Sequence, residues 1–338
     1  MNETADLLLK HALALEEQAN FWEAGEEYKC ALLEFNKLSG FIDEKALCKR
    51  KIREMNLKRS DDFKEVAVDH QLSPEEIQRI EALINVFTQQ ENLYDALKLL
   101  GTNLNFHPNY QRLLASAQSN MPVSFLIANL SSQDQQGNLQ RDGHDASAMS
   151  YAQNYEIEQM LTSSLYLNPI MHRLMDTKMN FDNLSGYFRS TTLFTENMLN
   201  TFDVGLERFM ARDYVSSMHI LAPIFEKTFM DLTGLIGDAD TVAARAQTGS
   251  PDQLWTQDKT LGEDFLKNEK VREIWGEDFC EQISFVMFAP LGYKLRHKIA
   301  HGYTAFGEFN FSNNVLILYF FLVIAARVKK TTKEVVPE

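Results

Sequence analysis

Val315-Leu316-Ile317-Leu318-Tyr319-Phe320-Phe321-Leu322-Val323-Ile324-Ala325-Ala326 is the longest apolar run in the chain. A bilayer crossing needs roughly 20 apolar residues, and this run holds about twelve. It therefore reads as a buried helix rather than a membrane span. Ser312 or Asn313, just ahead of it, can serve as its N-cap.

The rest of the composition agrees with a helical core around that run. The chain has 338 residues, 45% of them hydrophobic and 11% aromatic, enough to fill a sizeable interior. Only 15 glycines and 8 prolines punctuate it, which suits long helices better than a many-turned β fold. The fold class expected is predominantly all-α. Cys30, Cys48 and Cys280 lie far apart and make neither a disulfide framework nor a zinc knuckle. Met1-Asn2-Glu3-Thr4-Ala5-Asp6 lacks the basic start of a signal peptide, so the expected location is cytoplasmic, with no membrane partner. A net charge of -14 excludes a broad electropositive surface for nucleic acid, but leaves room for one local basic site.

Along the chain, Ala12, Leu15, Ala19, Trp22, Ala24, Tyr28, Ala31, Leu32 and Phe35 recur at three- and four-residue steps, so residues 1–60 read as a helical hairpin or two. Ser73-Pro74-Glu75-Glu76 is a helix start, with Ser as N-cap and Pro in the first turn. A second helix runs from Leu93 to about Leu100. Pro122-Val123-Ser124-Phe125-Leu126-Ile127-Ala128, then the polar turn from Ser131 to Asn138 and Leu139-Gln140-Arg141, read as a small β-hairpin or ordered loop. The expected division is an N-terminal helical region over 1–120, a connector over 121–150, and a helical domain over 151–338. In the last, Met198, Leu199, Phe202, Leu206 and Phe209 form one helical stripe. Asp213 to Leu232 gives another helix, kinked at Pro223, and 236–262 reads as a loop insertion. A further helix holds Phe279 to Phe288, and a short one carries Lys294 to Ala300 and stops at Gly302.

That short helix is the place where chemistry gathers. Lys294-Leu295-Arg296-His297-Lys298 puts three positive charges into five residues of an acidic chain, and His301 follows. Arg offers a planar fork that matches a phosphate. A positioned His moves the proton of a phosphodiester cleavage, worth roughly 10²–10⁴ in rate. Arg296 and His301 differ by about 140° around an ideal helix. To meet on one phosphate they need a loosened last turn or a second chain. His297 and His301 are i and i+4 and share a face. The ordinary alternative is a helix C-terminus, where Lys, Arg and His complement the terminal carbonyls. A zinc reading of His297 and His301 lacks a third ligand and the Glu of a catalytic HExxH helix. His219 and Glu226, two turns apart on one helix, either line the same cleft and orient His301 or simply tie that helix to its neighbours.

Arg296-His297-Lys298-Ile299-Ala300-His301 resembles the motif of the HEPN superfamily: Arg, a polar residue, three variable residues, His. More specifically, the chain resembles a bacterial HEPN-like family, domain of unknown function 4209. Pro122–Leu126, Asp213–Glu226, Lys259-Thr260-Leu261-Gly262 and Leu295–Gly302 carry that resemblance, which covers roughly 120–328. It implies an all-α bundle of HEPN type. It further implies a metal-independent endoribonuclease, usually a homodimer, found among toxins and antiviral-defence effectors, with no cofactor. Arg296 would bind the phosphate and His301 would be the general acid/base. His297 would fill the polar position, and Lys294 and Lys298 would add substrate contacts. RNA is the partner so implied. The alternative is a non-catalytic module that binds RNA or a nucleotide, or that meets a protein through the N-terminal helices.

Overall fold

The structure is a computed structural model that describes residues 3–58, 72–119, 132–133, 139–141, 146–237, 246–250, 253–256 and 260–334. It is predominantly all-α. Two compact units divide it: Met1–Gln71 with Asn120–Ser150, and Leu72–Ser119 with Tyr151–Glu338.

In the first unit, α1 (Glu3–Glu17), α2 (Phe21–Asn36) and α3 (Ile42–Lys58) pack around Tyr28, Phe35, Cys48 and Met55. Ala5, Ala12, Ala24 and Ala31 are fully buried, which lets the helices approach closely. Glu16 ties all three together. It accepts a hydrogen bond from the Tyr28 hydroxyl at 2.8 Å and from Lys51 and Lys58 Nζ, each at 2.9 Å. Burial works to raise its pKa, but these three donors outweigh it and hold the carboxyl at about 2. The expected connector hairpin is described only at β1 (Ser132–Gln133) and β2 (Leu139–Arg141), which pair antiparallel. Pro122–Ala128 and the turn at 134–138 lie outside the described residues.

The second unit begins with α4 (Pro74–Thr88), α5 (Leu93–Thr102) and α6 (Tyr110–Ser119). Ser73 and Glu76 close a full capping box on α4. α7 (Ala146–Thr162) passes through a wide turn at Ser163–Leu167 into α8 (Asn168–Thr177). Then come α9 (Phe181–Arg189), α10 (Glu196–Met210) and α11 (Tyr214–Ile236). β3 (Ala246–Ser250) and β4 (Gln253–Thr256) form a second antiparallel hairpin. The chain continues through α12 (Glu263–Leu266), α13 (Glu269–Trp275) and α14 (Glu277–Ile283), the last extended by a wide turn over Ser284–Phe288. It closes with α15 (Leu295–His301) and α16 (Phe311–Glu334).

α16 is the axis of this unit. Every residue from Val315 to Ala325 is buried, so the run has no lipid-facing or water-facing side. By length and composition Phe311–Val328 would pass for a membrane span, yet 72% of that window lies inside the protein. α5, α8 and α11 all pack on it. α5 comes close enough that a Cβ on Gly101 would sit 2.2 Å from the Leu322 carbonyl oxygen.

This packing moves the boundary expected at residue 120. Ile84, Phe87, Leu97, Leu100 and Phe106 belong to the same continuous core as α16. The segment 72–119 therefore groups with the C-terminal helices rather than with residues 1–58. The sequence divides at a polar stretch, whereas the fold divides where apolar faces stop meeting. Two local expectations also change. The insertion at 236–262 carries the β3–β4 hairpin. The N-cap of α16 is Asn310, whose Oδ1 accepts Asn313 N–H at 2.9 Å, and Ser312 instead accepts from Asn168. α11 is one continuous helix through Pro223. The missing N–H at 223 leaves the His219 carbonyl without its helical donor, on an exposed face.

Candidate functional site

α15 is seven residues long and bounded by special backbone at both ends. A Cβ on Gly292 would meet the Phe285 carbonyl oxygen at 2.0 Å, and Tyr293 N–H donates to that same oxygen at 2.9 Å. Lys294, expected inside the helix, stands just before it in the left-handed region, at φ 56°. A side-chain-bearing residue adopts that conformation only when its surroundings hold it there. At the far end Gly302 is also left-handed, φ 67°, with its N–H on Ile299 O at 3.3 Å and Tyr303 N–H on Lys298 O at 2.8 Å. Those two bonds are a Schellman stop. Leu295 and Ile299, one turn apart and buried, hold α15 to the core.

The helix is thus regular through His301, and its last turn is not loosened. Arg296 and His301 keep their angular offset. Arg296 leans toward α11, where its Nε donates to Glu226 Oε2 at 3.0 Å. His301 belongs to the other side. Its ring centroid lies 4.4 Å from that of His297, as the i, i+4 spacing requires, and 5.9 Å from the nearly parallel Tyr303 ring. Within the chain Arg296 is held by Glu226, whereas His301 contacts His297 and Tyr303. Glu226 positions the arginine rather than a histidine. His219 is exposed, with Nδ1 donating to the Val215 carbonyl at 2.8 Å and its ring stacked on Phe309. A carbonyl only accepts, so Nδ1 carries a proton.

The basic charges are partly neutralised. Glu226 takes Arg296, and Glu308 takes Lys298 with one oxygen while its other accepts Ala305 N–H at 2.9 Å. Among the described residues Lys294 pairs with no carboxylate. His297 is held below the ordinary imidazole pKa, first by burial and then by the charges of Lys294, His301 and Arg296. The lowering favours the neutral form of His297, whose lone pair can accept a proton. Arg296 spends only its Nε on Glu226, and its two terminal nitrogens remain for another acceptor.

Tyr303, Glu308 and Phe309 were not legible as site residues. Tyr303 follows the stop at Gly302, and the left-handed turn there is what folds it back beside His301. Glu308 and Phe309 reach α15 and α11 only through the course of the 303–310 loop. Among the described residues no group of three or more His, Cys, Asp or Glu side chains is placed to hold a metal ion. Comparison with protein-family models, curated proteins and solved structures finds no match to this chain.

Proposed function

We propose that α15 and the turn after it form a ribonuclease site of the HEPN kind that the Arg296–His301 motif resembles. The observation that carries this reading is the His297–His301 pair, with ring centroids 4.4 Å apart at the exposed end of a helix that follows Lys294, which pairs with no carboxylate among the described residues. In the reaction proposed, neutral His297 takes the proton from a ribose 2′-hydroxyl. The 2′-oxygen attacks phosphorus, the bond to the 5′-oxygen breaks, and protonated His301 supplies the proton to that leaving oxygen. Lys294 and an Arg296 fork stabilise the phosphorane. Since Arg296 faces Glu226 in its own chain, this reading has Arg296 of a second copy meet His301 on one phosphate. The products are a 2′,3′-cyclic phosphate and a 5′-hydroxyl, and no cofactor takes part in the steps proposed.

The test is cleavage of a defined RNA by purified protein in EDTA, with the ends identified by mass. We expect 2′,3′-cyclic phosphate ends, and a loss of about 100-fold or more in His301→Ala and Arg296→Ala. Undiminished cleavage by either variant would sink the reading.

One observation favours a second reading, a non-catalytic module that binds RNA or a nucleotide. Both cations of α15, Arg296 and Lys298, are already paired with Glu226 and Glu308, which leaves less charge for a crowded phosphorane. RNA affinity with no product from the wild-type protein would support it.

A further inference from the structure

The loop after α15 is tied down at almost every residue. Glu308 anchors it to Lys298 and to Ala305 N–H, and Asn313 Nδ2 donates to the Glu308 carbonyl at 2.8 Å. Asn310 Nδ2 donates to Gly307 O at 2.9 Å, and Phe309 stacks on His219 with ring centroids 5.2 Å apart. Of the three aromatics on this loop, Phe309 is the one that is not exposed. Phe306 is 83% exposed, the most exposed large apolar side chain among the described residues. Tyr303 is 64% exposed, with its ring parallel to that of His301. A single exposed apolar residue is ordinary. Two aromatics held outward on a tied loop, the first of them beside the paired imidazoles of His297 and His301, are a different matter. Aromatic faces beside cationic groups are how single-stranded nucleic acid is gripped, because every base has a π face and every linkage a phosphate.

We infer that Tyr303 and Phe306 form a base-stacking subsite that holds an unpaired nucleobase next to the phosphate at His297 and His301. A paired base is stacked on both sides and cannot present its face to them, so the subsite selects unpaired RNA. This inference rests on the proposed function for its ligand, although the subsite itself needs no cleavage.

Binding is therefore measured with a probe that cannot be cut: a fluorescein-labelled 2′-O-methyl oligonucleotide of about 12 nucleotides, single-stranded or annealed to its complement. Fluorescence anisotropy is read for the full chain as wild type and as Tyr303→Leu/Phe306→Leu, which keeps apolar bulk and removes both π faces. Thermal melting and light scattering check fold and mass. We expect the single strand to bind the wild type at least about tenfold more tightly than the duplex, and the double variant to lose about tenfold or more on the single strand alone. Equal affinity of wild type and double variant for the single strand overturns the inference. So does a wild-type dimer that falls apart in the double variant with RNA affinity intact, since the rings would then be a contact between copies. If the probe behaves as expected and wild-type protein cuts no RNA, the cleavage reading fails while the subsite stands. If cleavage and affinity both survive the double substitution, the subsite fails alone.

Discussion

Glu226 Oε2 accepts the Nε proton of Arg296 at 3.0 Å, across 70 residues of chain. This bond fixes the plane of the guanidinium and also offsets its charge. The two roles separate by substitution. Glu226→Gln keeps an oxygen acceptor and removes the negative charge, so we expect tighter and more salt-sensitive RNA binding by filter retention. Glu226→Ala removes the acceptor as well and should lower cleavage through kcat. Because the pair is partly exposed, neither change should cost more than about 1 kcal/mol of stability in urea unfolding.

The His297–His301 pair sets a pH profile. His297 is held below its ordinary pKa, so it stays neutral at a pH where a free imidazole would already be charged. Proposed as the base, it should give kcat/KM an acid limb displaced to lower pH than an ordinary imidazole would give. In His297→Asn that limb should vanish along with most of the activity. An unchanged limb in the residual activity of His297→Asn assigns the base elsewhere.

Gly101 is where α5 meets α16. A methyl group there would lie 2.2 Å from the Leu322 carbonyl oxygen, closer than backbone and side chain can stand. Gly101→Ala should therefore push two core helices apart and cost about 1–3 kcal/mol in chemical denaturation. A neutral result would show that these helices slide freely.

Acid should weaken the second unit through His107. Its Nδ1 is 2.7 Å from Gln282 Oε1 and its Nε2 3.3 Å from the Tyr319 hydroxyl. Burial, in the main, pushes its pKa down to about 4. An unfolded imidazole takes its proton near 6.5, so between those values the unfolded chain binds the extra proton. Stability then falls with falling pH, by up to about 3 kcal/mol, while above pH 6.5 the group contributes no pH dependence. His107→Gln should start less stable at pH 7.5 and lose less on going to pH 4.5. Parallel losses in both proteins would remove His107 as the cause.

Glu16 acts with the opposite sign in the first unit. Its carboxyl is held at about 2, below the unfolded value of 4.5, so its contribution is complete above pH 4.5 and fades as pH falls toward 2. Glu16→Gln should destabilise the three-helix unit by about 2–3 kcal/mol at pH 7, as followed by amide exchange in α1–α3. Unchanged protection there would mean the two lysines find other partners.

Much of the helical order was legible because it is local. The Ser73–Glu76 capping box, the stop at Gly302 and the i, i+4 contact of His297 with His301 each follow from a few neighbouring residues and the helical period. Where sequence reading slipped, the deciding partner was distant. Asn310 rather than Ser312 caps α16, because Ser312 is taken by Asn168. The segment 72–119 looked N-terminal, because nothing local says that Phe87 and Leu97 share a core with Leu322.

The sequence by itself determined that the run from Val315 to Ala325 is buried and that the basic and imidazole groups gather at Leu295–Gly302. Apolar runs and backbone punctuation act over one or two turns of chain. Only the tertiary structure decided which of those groups are already partnered. Arg296 goes to Glu226 and Lys298 to Glu308, while His297 and His301 are left facing Tyr303. A charge is neutralised by whatever the fold brings within a few ångströms, and separation along the chain does not set that distance.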